Sequence, residues 1–228
     1  MIHYEIEKVL GISILVTVAF VAGFSAIEPK LLNAIEDQFT VTQTVTAEIS
    51  FATPASDITM DGSIAGITGG TANGQTQVAV STNNSTGYTM SIISSSTPAM
   101  QGNTQGGYIN DYTVSTTTGM EPDYTFSVGV NTAEFGYTVS ASTTSDLDQS
   151  FKDDGIGCNT GSSDTSGSSS CWMSPSSTAY TIINRSSSTA VSGATSTIYF
   201  RVQITANPSP SVPEDTYTAT TTLTATTN

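Results

Sequence analysis

Apolar and polar positions along the chain follow two regimes that meet near residue 38. From Val9 to Ile27 the sequence reads VLGISILVTVAFVAGFSAI, an apolar run without a charged side chain. A helix needs ~20 such residues to cross a bilayer. Past Pro29, Leu31, Leu32, Ile35 and Phe39 recur at helical spacing, with Lys30, Asn33, Glu36 and Asp37 elsewhere, so the pattern becomes one-sided. This predicts an N-terminal helix over residues 1–38, ~55 Å long at 1.5 Å per residue.

From Phe39 the period changes to two. Phe39, Val41, Val45, Ile49 and Phe51 alternate with Thr40, Thr42, Thr44, Thr46, Glu48 and Ser50, the signature of a half-buried strand running straight out of the helix. Gln75–Thr82 and the alternating Tyr88, Met90 and Ile92 flank the turn Asn83–Gly87 and predict a hairpin. Tyr124–Val128 and Glu134–Ala141 predict a second strand pair. Tyr180–Ile183, Ser196–Thr205 and Thr216–Thr226 complete the set, while Ser94–Thr118 and Ser145–Ser177 read as loops. About eight strands with turn signals between them predict a β-sandwich. The expected class is α+β: a long N-terminal hydrophobic helix (1–38), then an all-β, Ser/Thr-rich sandwich head (39–228).

Composition narrows the partners. Ser and Thr make up roughly a third of the chain, well above ordinary usage and in keeping with strand propensity. Lys and Arg number 5 against 19 Asp and Glu, a net charge of −14, and none lies between Lys30 and Lys152. Nucleic acid needs a basic surface and is excluded as a partner; anionic lipid surfaces are disfavoured for the same reason. Asn83, Asn84 and Asn184 stand in N-x-S/T sequons, which matter only in a host that glycosylates them.

The apolar run has three readings: a cleaved secretory signal with Lys8 before the core and Gly23 and Ser25 near a cleavage site, a lone membrane anchor, or a helix that packs against copies of itself. Small residues, Gly11, Ala19 and Gly23 among them, include small-xxx-small spacings that let helix backbones approach closely. His3, Glu5, Glu7 and Lys8 precede the run. Their plain reading is a solvated helix start, where acids suit the macrodipole.

With Met1 as the mature N-terminus, Glu5 falls where type IV pilins carry their glutamate, and the chain resembles that family over roughly its first forty residues. The resemblance implies a β-rich head behind a long apolar helix. It implies that Glu5 offsets the α-amine of Met1 on a neighbouring subunit during assembly, a carboxylate in an apolar bundle being costly unless paired. Pro29, with Gly23 before it, would loosen the helix. The expected role is the major structural subunit of an extracellular filament at the cell surface, a homo-oligomer inserted in the inner membrane before assembly. The alternative is a membrane-anchored surface β domain that binds a glycan or protein ligand.

Candidate chemistry is sparse. Cys158 and Cys171 flank a Gly/Ser/Asp-rich loop, and an exported chain would bridge them, with Trp172 expected over the bond. The one histidine is His3, so no Ser–His–Asp set can be assembled in the head. No phosphate or dinucleotide fingerprint occurs. Asp146, Asp148, Asp153 and Asp154 offer oxygen ligands suited to Ca²⁺, but their spacing is not that of an EF-hand. A solvated loop is the default, and the reading is a non-enzyme with no cofactor or metal.

Overall fold

The computed structural model describes residues 36–115, 121–164 and 170–228. The chain divides into two units, Met1–Thr44 and Val45–Asn228. Only residues 36–44 of the first are described. They have no regular secondary structure, and their side chains are exposed.

The α+β expectation is corrected. Strand accounts for 42% of the described chain and helix for 3%, with no helix of seven residues or more. Among the described residues no helix is long and apolar enough to cross a membrane. The helix read over residues 1–38 falls on residues 1–35, outside the described residues, and on 36–38, which are not helical.

Ten strands form the second unit: β1 (Ile49–Thr53), β2 (Gly70–Thr82), β3 (Tyr88–Ser94), β4 (Met100–Gly102), β5 (Tyr108–Asp111), β6 (Ala133–Ala141), β7 (Tyr180–Arg185), β8 (Ala194–Ile204), β9 (Tyr217–Ala219) and β10 (Thr221–Thr227). They make a seven-stranded sheet, β1-β2-β8-β6-β5-β4-β9, and a three-stranded sheet, β10-β3-β7. Pairing is antiparallel except between β5 and β6. The two sheets share one apolar core. Val78, Val80, Phe135, Tyr137, Val139, Ile198, Phe200, Val202 and Ile204 come from the large sheet, and Tyr88, Met90, Ile92, Ile182 and Ile183 from the small one. β8 shows why the sequence folds this way: Ile198, Phe200, Val202 and Ile204 are buried, and Thr197, Tyr199, Arg201 and Gln203 between them are not. Burying a side chain of this kind contributes ~1.5–3 kcal/mol.

Several expected pairings differ. The segment Phe39–Phe51 is not one half-buried strand. Only Ile49–Thr53 is strand, and Phe39, Val41 and Val45 are 85%, 82% and 79% exposed. Their alternation is real, but no layer of the described chain covers it. β2 and β3 do not form a hairpin; they lie in different sheets. Their apolar faces, Val78 and Val80 against Tyr88, Met90 and Ile92, meet in the shared core, so the turn at Asn83–Gly87 is a sandwich corner. Tyr124–Val128 is not a strand, and β6 instead pairs with β8 and β5. The predicted last strand is two strands in different sheets, divided at Thr220. The region read as loop between Ser94 and Thr118 contains β4 and β5.

Candidate functional site

The proposed assembly residues Met1 and Glu5, and the packing residues Gly11, Ala19, Gly23 and Pro29, lie outside the described residues. Cys158 and Cys171 are bonded, with an S–S distance of 2.08 Å and Cα atoms 5.6 Å apart. Cys171 is buried in the main core, and Cys158 packs against it. Cys171 takes a left-handed φ of 57°, after which Met173 exchanges hydrogen bonds with Tyr137 of β6 (2.7 and 3.0 Å). The disulfide therefore fastens the loop after Phe151 to the large sheet.

The four loop acids do not converge. Asp146 forms an ion pair with Arg185 of β7. Asp148 accepts from Ser150 N (3.0 Å) and Ser150 Oγ (2.6 Å). Asp153 accepts from Gly155 N at 2.8 Å. Asp154 accepts from Ile156 N (3.0 Å) and Gly157 N (2.9 Å). The Gly157 and Ile156 amides hold the Asp154 carboxyl below its ordinary range. Among the described residues no three His, Cys, Asp or Glu side chains gather into a metal-binding group.

The expected packing of Trp172 over the disulfide is not what defines its surroundings: Cys171 and Cys158 belong to the main core, and Trp172 does not. With Tyr112 and Phe126 it forms a second, smaller cluster. Tyr112 and Phe126 stack with centroids 4.5 Å apart, and Phe126 meets Trp172 edge-on at 5.0 Å. Asp123 fixes this flap. Its backbone exchanges bonds with Trp172 (2.8 and 2.9 Å), and its carboxylate accepts from Tyr112 Oη at 2.9 Å and from Ser115 N and Oγ at 2.7 Å. Gly136 of β6 permits the close approach: a Cβ there would stand 2.9 Å from both Phe126 and Tyr112.

Beside this flap an open cleft of about 660 Å³ lies on the outward face of the large sheet. Two cross-strand pairs contribute to its lining, Asn73 opposite Arg201 and Gln75 opposite Tyr199. Trp172 also lines it, as does the segment Asp57–Asp61 with Asp57, Ile58, Thr59 and Asp61. That segment runs beside β2, with Asp61 N donating to Asn73 O (2.8 Å). Ile58 sits over Gly74, where a Cβ would come within 2.5 Å of its methyl group.

Arg201 dominates the polar lining. Its guanidinium lies 4.4 Å from the Trp172 ring centroid and 5.5 Å from that of Phe126, positions at which a cation is attracted by the ring quadrupole. Its Nε donates to Asn73 Oδ1 at 2.8 Å. Burial lowers its pKa from the ordinary arginine value. Among the described residues no carboxylate forms an ion pair with it. Trp172 Nε1 is buried and has no hydrogen-bond partner within the described protein.

The chain matches no family model, no curated protein and no solved structure. The cleft therefore rests on its own geometry. Sequence reasoning missed Asp57, Asp61, Asn73, Gln75, Tyr199 and Arg201, because they come from segments up to ~140 residues apart and join only through β2–β8 pairing. One signal was present: beyond residue 38 the cations are Lys152, Arg185 and Arg201 alone. Arg201 takes an outward position in the alternation of its strand, between Tyr199 and Gln203.

Proposed function

We propose that this chain is the major structural subunit of a pilus-like extracellular filament, with its apolar N-terminal segments gathered inside and its β heads outside. The carrying observation is the apolar side of residues 39–45. Phe39, Val41 and Val45 are each more than three-quarters exposed, and Phe39 stands twelve positions beyond the end of an uncharged run of nineteen residues, Val9–Ile27. Large apolar side chains left exposed so close together suit an interaction site, and neighbouring copies of the chain are the occupants proposed here. In this reading Glu5 offsets the Met1 amine of a neighbour, and the subunit is inserted in the membrane before assembly.

Electron microscopy of sheared surface appendages, with mass spectrometry of the same fraction, tests the reading. Filaments containing this chain are expected. Val41→Asp is expected to abolish them while leaving the unfolding midpoint of the head unchanged, because the side chain is 82% exposed among the described residues. Recovery of the wild-type chain only as a membrane-fraction monomer overturns the reading.

A further inference from the structure

We infer that the cleft beside Arg201 is a binding site for a neutral carbohydrate. This does not rest on the filament reading, since every residue involved lies between Asp57 and Arg201 within the second unit. Its volume of about 660 Å³ falls within the range of small-ligand sites, ~300–1,000 Å³.

The donor and acceptor inventory selects the ligand class. Arg201 contributes only donors, and Asp57 and Asp61 contribute only acceptors when ionised, while the amides of Asn73 and Gln75 contribute both. A sugar hydroxyl donates one hydrogen bond and accepts others, so vicinal hydroxyls can serve all five side chains. A carboxylate or sulfate would pair with Arg201 but would face Asp57 and Asp61 on a chain of net charge −14. A cation would meet the Arg201 guanidinium. Tyr199 adds aromatic surface to the lining, suited to the apolar C–H face of a pyranose ring. An extended peptide would need an open strand edge. Here Asp61 N occupies Asn73 O, and Ser56 N bonds Thr76 Oγ1 at 2.9 Å.

Trp172 is the one tryptophan in the chain, so its emission reports on the cleft directly. The full-length protein is applied to an array of neutral hexose and N-acetylhexosamine oligosaccharides beside sialylated and sulfated ones. Bound glycans are then titrated in solution while Trp172 fluorescence is followed. Expected are neutral glycans among the binders, a saturable emission change, and at least a tenfold affinity loss in Gln75→Ala and Asp61→Ala. Both side chains are exposed, so the unfolding midpoints of these variants should match wild type. Absence of any emission change with neutral glycans overturns the assignment. So does binding confined to acidic glycans or peptides, and so does binding that survives both substitutions.

Discussion

Arg185→Met tests how the small sheet is tied to the rest of the head. Arg185 ends β7, and its guanidinium pairs with Asp146 in a 3-10 turn, Thr144–Asp146. The side chains are 17% and 10% exposed, which decides the magnitude. An exposed pair is worth ~0–1 kcal/mol. Removing one partner of a buried pair costs ~3–5 kcal/mol, because the other charge stays buried and unpaired. Arg185 also donates to Ser187 O (2.9 Å) and Ser188 O (2.8 Å), so its loss frees the turn after β7 as well. A cost of ~3–4 kcal/mol is expected, at the lower half of the range because Asp146 keeps some solvent contact. Arg185→Met/Asp146→Leu should recover most of it, since replacing both charges by apolar groups is often neutral. Urea unfolding followed by Trp172 fluorescence gives all the values of the cycle. A single-variant cost under ~1 kcal/mol, or a double variant no more stable than Arg185→Met, would refute the placement of this pair among buried ones.

Other expectations are as direct. The Tyr88 hydroxyl is buried without a hydrogen-bond partner, so Tyr88→Phe should be neutral or stabilising at pH 7 by urea unfolding. Its pKa is raised to about 12, first by burial, then by Asp146, with Arg185 opposing. The stability it contributes is therefore complete below pH 10 and lost as pH rises through about 12, and Tyr88→Phe should flatten that alkaline loss. Asp215 accepts from Thr104 N (2.8 Å), Thr104 Oγ1 (2.7 Å) and Gln105 N (2.8 Å), and these bonds lower its pKa to about 2. The stabilisation is present above the unfolded value near 3.8 and lost as pH falls through about 2; an NMR titration midpoint near 3.8 in the folded protein would contradict this. Cys158→Ala/Cys171→Ala should cost ~3 kcal/mol for a loop of this length and should raise amide exchange in residues 159–164 while β2 and β8 stay protected.

Strand content was legible where one face is buried against a partner sheet. β8 and β3 alternate strictly, and their apolar inward residues were read from the sequence, whereas the buried Ser196 and Ser94 that continue the same faces were not. Pairing was not legible, because an alternating stripe looks the same whether its partner lies beside it in a sheet or across a core. The turn at Asn83–Gly87 therefore read as a hairpin when it is a corner. Phe39, Val41 and Val45 show the converse: the period is that of a buried face, yet burial needs a second layer that the described chain does not supply. β4 and β9 were missed as separate strands because each is three residues long, too short for any period to show. The cysteine bridge needed only two cysteines in all, close together in sequence and flanking a loop. The cleft needed the β2–β8 register, which no local pattern encodes.

The division at Thr220 bears on the order in which the head can fold. β9 is the outer strand of the large sheet, and β10 is an outer strand of the small one. Residues 217–227 thus border both layers, and β10 reaches back to β3, pairing Thr221 with Ser94 and Thr227 with Tyr88. Asn228 adds bonds to Thr86 O and Arg185 O, each 2.9 Å. Pairings across more than a hundred residues form slowly, because loop closure must precede any gain from the contact. A chain emerging from a ribosome or a translocation channel therefore leaves β3 without its β10 partner until these last residues arrive. Closure of the small sheet waits until residues 221–227 have joined β3, whatever else has already folded.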